Sequence, residues 1–121
     1  MNGYPAKDRA ISKTLGASET GVAISQEVPV TAGGSRNMVV ALKASAVTGT
    51  VAFTLQTAVS DSWVTVKAGS IAAAGWAYIR VNVQDTADLP VLPLLSKVRV
   101  IATTDGGEAL EVDKVYFLQE Q

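Results

Sequence analysis

The sequence predicts an all-β fold: a single-domain antiparallel β-sandwich, jelly-roll or Ig-like, of roughly seven to nine strands with an irregular N-terminal arm. Three observations predict it. Apolar residues recur with a period of two, the strand period, in five separate stretches. Glycine- and aspartate-bearing turn signals separate those stretches at intervals of about 8–15 residues, the spacing of a sandwich or small barrel. The chain has 121 residues, enough for one domain that buries roughly two thirds of its unfolded surface without staples.

The elements follow in order. Residues 1–20 are polar, rich in small residues and weakly patterned, and are assigned to the arm; the sandwich domain is assigned to residues 21–121. Such an arm either stays flexible or orders against a partner. Two weak segments, residues 11–15 and 21–29, are candidates for edge strands, and Pro29 suits an edge, where a missing donor costs little. In "RNMVVALKAS", Met38, Val40 and Leu42 share the stronger face. Val51, Phe53 and Leu55 line one side of the next strand, with Thr54 and Gln56 on the other. Asp61 and Ser62 read as turn residues, and Trp63 begins a strand out of phase with Val64 and Val66. The stretch "GSIAAAG" at 69–75 is too short and too glycine-bounded for a helix, and reads as a connector with room for one helical turn. Ala77, Ile79, Val81 and Val83 alternate with Trp76, Tyr78, Arg80 and Asn82. Val98, Val100 and Ala102 alternate with Lys97, Arg99, Ile101 and Thr103. In "LEVDKVYFLQ" the apolar phase runs through Leu110 and Val112 and resumes at Val115 and Phe117. An odd offset flips the face, which predicts a bulge near Asp113 and Lys114.

Composition narrows the chemistry. The chain has no cysteine and no histidine. Disulfides, thiolate metal sites and any Ser-His-Asp or Cys-His apparatus within it are excluded, and the usual general base is missing. No catalytic residue, metal site or cofactor is predicted. Formal net charge is −1, with no basic excess to neutralise phosphates, so no direct nucleic-acid contact is expected. No uncharged apolar run reaches the length of a membrane helix, and the start of the chain lacks the apolar core of a signal peptide. Manufacture in the cytoplasm is expected, with export only as part of a particle.

The residues that stand out are candidates for contact. Trp76 and Tyr78 share the outward phase of Arg80 on one strand, and exposed aromatics anchor protein interfaces. Leu89, Val91, Leu92, Leu94 and Leu95 make the proline-containing segment 85–97 strongly apolar, which suits either a loop closing one end of the core or a subunit contact. Tyr4 is the arm's one aromatic. Three polar constellations carry weaker functional readings. Asp105, Glu108 and Asp113 border a glycine turn, but their spacing matches no calcium loop. Asp85 and Asp88, before Pro90, are candidates for an acid–base pair or a chelating pair, against turn-setting roles as acceptors of backbone donors. Arg80 and Arg99, on the polar faces of two strands, are candidates for an anion site, against a solvated outer face.

The run "VAFTLQTAVSDSWVTVKAG", then "GWAYIRVNV", then "KVRVIATTDGGEALEVDKVYFLQ" resembles small structural proteins of tailed-phage virions. The residues that carry the likeness are Leu55-Gln56, Trp63 to Val66, Val98 to Val100, Thr103 to Gly106 and Val115-Tyr116, covering about the C-terminal two thirds. The resemblance implies a non-enzymatic decoration (cement) or minor capsid protein. Such a protein binds the outside of a phage shell as a homo-oligomer, dimer or trimer, with the major capsid protein as partner and the virion as location. A head-tail connector or tail role fits the same likeness. The competing expectation is a carbohydrate-binding module stacking sugars on Trp63, Trp76 or Tyr78.

Overall fold

The computed structural model describes residues 7–11, 14–29, 37–59, 61–82 and 97–120. Among these residues there are nine strands and no helix: β1 (Thr14–Leu15), β2 (Val22–Ala23), β3 (Val28–Pro29), β4 (Asn37–Thr48), β5 (Val51–Val59), β6 (Ser62–Ile71), β7 (Gly75–Asn82), β8 (Lys97–Thr103) and β9 (Ala109–Glu120). They form two antiparallel sheets. One has the order β1-β9-β4-β7; the other has β2-β8-β5-β6, with β3 also pairing β8. The expected sandwich is present, and among the described residues Pro29 does lie on an edge segment, paired to Lys97.

The alternating residues fill the space between the sheets. Met38, Val40 and Leu42 of β4 meet Val51, Phe53 and Leu55 of β5, Ile79 and Val81 of β7, and Val98, Val100 and Ala102 of β8 in one core. Burying a branched or aromatic side chain contributes roughly 1.5–3 kcal/mol each, so these alternating positions dominate the stabilisation. Phe53, the largest fully buried side chain, is accommodated by a glycine. A Cβ at Gly69 would stand 3.2 Å from the Phe53 ring and 3.0 Å from Ile79.

Strand pairing is nested. β4 pairs β9 and β5 pairs β8, while β6 and β7 lie at the outer ends of their sheets. Within β4–β9 only the β5–β6 connection is a hairpin in one sheet; the others carry the chain between sheets. Gly49 (φ 74°) and Gly107 (φ 95°) take the left-handed backbone that such corners need.

Asp113 is skipped in the β4–β9 register, where Lys43 faces Lys114 and Ala44 faces Val112. This is the bulge the odd apolar offset predicts. A second irregularity follows at once on the partner strand, where Ser45 is skipped, and it restores the alignment. Segment 69–75 differs from its reading as a connector. Gly69 and Ile71 belong to β6, paired to Phe53 and Val51, and only residues 72–74 lie between strands. Core packing of Ile71 outweighs the helix propensity of three alanines.

The described part of segment 1–20 is built into the sandwich. Arg9 N donates to Val115 O at 2.8 Å, and Asp8 Oδ1 accepts from Val115 N at 3.1 Å and Ala10 N at 2.9 Å. Residues 9–11 then run beside 24–26 through Ile11 N to Ile24 O and Gln26 N to Arg9 O. The segment thus ties β9 of one sheet to the strip paired with β8 of the other. Leu15 and Ile24 are fully buried core residues. Between β2 and β3 the regular ladder gives way: Ile24 N donates to Val100 O at 3.0 Å, and the buried Ser25 hydroxyl accepts from Val100 N at 2.9 Å.

Candidate interaction face

The outer face of the β1-β9-β4-β7 sheet concentrates the exposed aromatic surface. Register fixes its composition. On β4 the outward positions Val39, Ala41 and Lys43 face Leu118, Tyr116 and Lys114 of β9 on one side. On the other side they face Arg80, Tyr78 and Trp76 of β7. Ala41 is the centre of this arrangement. Its methyl leaves room for the tyrosines on both flanks, and although it points outward it is only 4% exposed.

The rings associate. Trp76 and Tyr78, two apart on β7, have centroids 6.4 Å apart and planes within 10°. Trp76 and Tyr116, on strands separated by β4, are 5.7 Å apart and within 21°. The Lys43 ammonium stands 5.8 Å from the Trp76 centroid and 3.6 Å from the Asp113 carboxylate, so the bulged residue anchors the cation beside the indole. Tyr78 is 63% exposed, Trp76 44% and Leu118 41%. Aromatic pairs of this geometry contribute roughly 0.5–1.5 kcal/mol beyond area burial, so the ladder is held in place before any partner arrives.

Trp76 and Tyr78 therefore lie together and outward, as their phase predicts. Tyr116 and Leu118 are not among the contact candidates read from the sequence. Their signal was present in the opposite parity of Tyr116 to Val115 and Phe117, but joining Tyr116 to Trp76 requires the β4 register. Tyr4, Leu89, Val91, Leu92, Leu94 and Leu95 lie outside the described residues, as do Asp85 and Asp88.

The polar constellations are dispersed. Arg80 and Arg99 are on different sheets, facing outward on opposite sides, so they do not form one anion site. Asp105 accepts from Thr20 Oγ1, Glu108 accepts from Gly106 N, and Asp113 pairs Lys43, so each carboxylate serves its own corner or bulge. Among the described residues no group of three or more metal-ligating side chains converges.

Trp63 lies on the other sheet's outer face. The β5–β6 register skips Val66, which changes the phase, and Trp63 stands opposite Ala58. The indole reaches across that alanine to β8, where the Arg99 guanidinium is 4.2 Å from its centroid and the Lys97 ammonium 5.6 Å. Val64, expected inward, is 37% exposed because β6 is an edge strand. No family model matches the chain, and a search of curated proteins returns no match.

Proposed function

We propose that the chain is a non-enzymatic structural protein of a tailed-phage virion, a decoration or minor capsid protein that grips the outside of the shell. The single observation that carries the contact role is the aligned Tyr78–Trp76–Tyr116 ladder on an open sheet face, bordered by Leu118 and Val39. Large rigid aromatics bring contact area at little entropic cost, and residues of this type dominate interface energetics. The virion setting rests on the sequence resemblance. Strand-only architecture without cysteine or histidine suits a part that works by binding and avidity. The major capsid protein is the proposed partner, and a dimer or trimer of the chain the proposed form.

The same likeness accommodates a connector or tail position. Tyr78, the most exposed ring among the described residues, also favours a second reading, a sugar-stacking module. Against it, Trp76 is flanked by two rings and a lysine ammonium, which leaves less free ring face for a sugar.

The test mixes the purified protein with tailed-phage shells that lack a decoration protein and measures co-sedimentation and the protein's own mass by light scattering. Saturable binding at a fixed copy number per shell, by an oligomer, is expected. A strict monomer that ignores shells would overturn the proposal. Binding to a glycan array lost on Tyr78→Ala would put the sugar module in its place.

A further inference from the structure

We propose a second site, on the opposite face of the sandwich, that binds an oxyanion group, carboxylate or phosphate, through Arg99 and Lys97 beside Trp63. It is independent of the aromatic face on the other sheet.

The site is built from register. Gln56 of β5 faces Arg99 of β8 on one side and Thr65 of β6 on the other. Arg99 Nε donates to Gln56 Oε1 at 2.9 Å, and its guanidinium carbon lies 4.2 Å from the Trp63 centroid. One nitrogen is thus tethered and the planar group is braced against an aromatic. The terminal nitrogens, the two-pronged part that matches a carboxylate or phosphate, have no acidic partner among the described residues. Immobilising an arginine normally costs entropy at the moment of binding; here the fold has already fixed it.

A second cation converges on the same ring, with Lys97 Nζ 5.6 Å from the Trp63 centroid. Two cations held near one indole repel each other, and an oxyanion bound by either or both lowers that cost. Among the described residues the acid paired here is Glu27, whose Oε1 is 2.6 Å from Lys97 Nζ. Glu27 offsets the lysine and leaves the arginine fork without an acid among the described residues. A ligand oxyanion would therefore take Arg99 bidentately and compete with Glu27 for Lys97. The competition gives a signature that a merely structural cation–π stack would not give: removing Glu27 should tighten binding.

The experiment titrates the isotopically labelled full chain with inorganic phosphate and, separately, with succinate, with chloride at matched ionic strength as reference. It follows the Arg99 Nε–H and Trp63 indole N–H signals by NMR, the indole signal being assigned with Trp63→Phe. Saturable shifts at both groups are expected with phosphate, succinate or both, and the two arms tell which oxyanion the site prefers. Arg99→Gln should weaken binding by about tenfold or more, the scale of a charge-assisted contact. Glu27→Gln should strengthen it several-fold. Shifts that only track ionic strength in the unaltered protein would overturn the proposal. So would saturable binding unaffected by Arg99→Gln in a variant whose spectrum stays folded.

Discussion

Replacing Leu15 by alanine tests whether the N-terminal segment is part of the domain. Leu15 sits in a two-residue strand paired to Leu110 and Glu111, yet its side chain is 0% exposed and belongs to the common core. The substitution deletes three carbons, worth roughly 0.8 kcal/mol each by transfer, or about 2.4 kcal/mol. The cavity left between the sheets adds up to about 2 kcal/mol if the walls do not relax. A total of about 2.5–4.5 kcal/mol follows. For 121 residues the unfolding entropy converts each kcal/mol to about 4 °C, so Tm should fall by roughly 10–18 °C. Differential scanning calorimetry, with urea denaturation as a second measure of stability, reads the effect. A Tm within about 2 °C of the unaltered protein would refute the reasoning, because it would mean that Leu15 dangles and that the sandwich is complete without it.

Three further outcomes follow from named contacts. Ser25→Ala removes the acceptor for the buried Val100 N–H and should cost about 1–3 kcal/mol in urea unfolding, whereas a hydroxyl-bearing threonine should recover part of it. Gly69→Ala would set a methyl 3.0 Å from Ile79 and 3.2 Å from Phe53; a loss of about 1–3 kcal/mol is expected, and an unchanged denaturation midpoint would show that Phe53 moves freely. Ala41→Leu should displace the tyrosines that flank it, detected as altered near-ultraviolet circular dichroism with the far-ultraviolet spectrum unchanged.

What the sequence disclosed, and what it hid, follows from the range of each signal. Alternation is local, and Met38 to Leu42, Val51 to Leu55, Ile79 to Val81 and Val98 to Ala102 all enter the core as their phase predicts. The bulge at Asp113 was legible because strong apolar residues flank it on both sides. Its counterpart at Ser45 was not, since Ala44 and Ala46 carry too little hydrophobic contrast to mark a phase change. The irregularity at Val66 was not legible for a related reason: Trp63, Val64 and Val66 are all apolar, so neither phase of β6 reads as the polar one. Gly49 and Gly107 announce left-handed backbone, but the same φ serves a hairpin and a sheet-crossing corner. Leu15 belongs to a two-residue strand and Ile24 directly follows another, both too short to show a period. The interaction face was half legible. Trp76 and Tyr78 share a phase on one strand, whereas Tyr116, Ala41 and the Trp63–Arg99 stack depend on register between strands far apart in sequence.

The aromatic face is tested most directly by a shell-binding isotherm on three proteins: unaltered, Trp76→Ala/Tyr78→Ala, and Ala68→Arg on the opposite sheet's exposed surface. If the Trp76–Tyr78 ladder is the grip, the double variant should bind at least about 30-fold more weakly, the scale of an interface hot spot of 2 kcal/mol or more. It should keep its far-ultraviolet spectrum, and Ala68→Arg should bind as the unaltered protein does. Equal binding by the double variant, or loss of binding through Ala68→Arg alone, would contradict it.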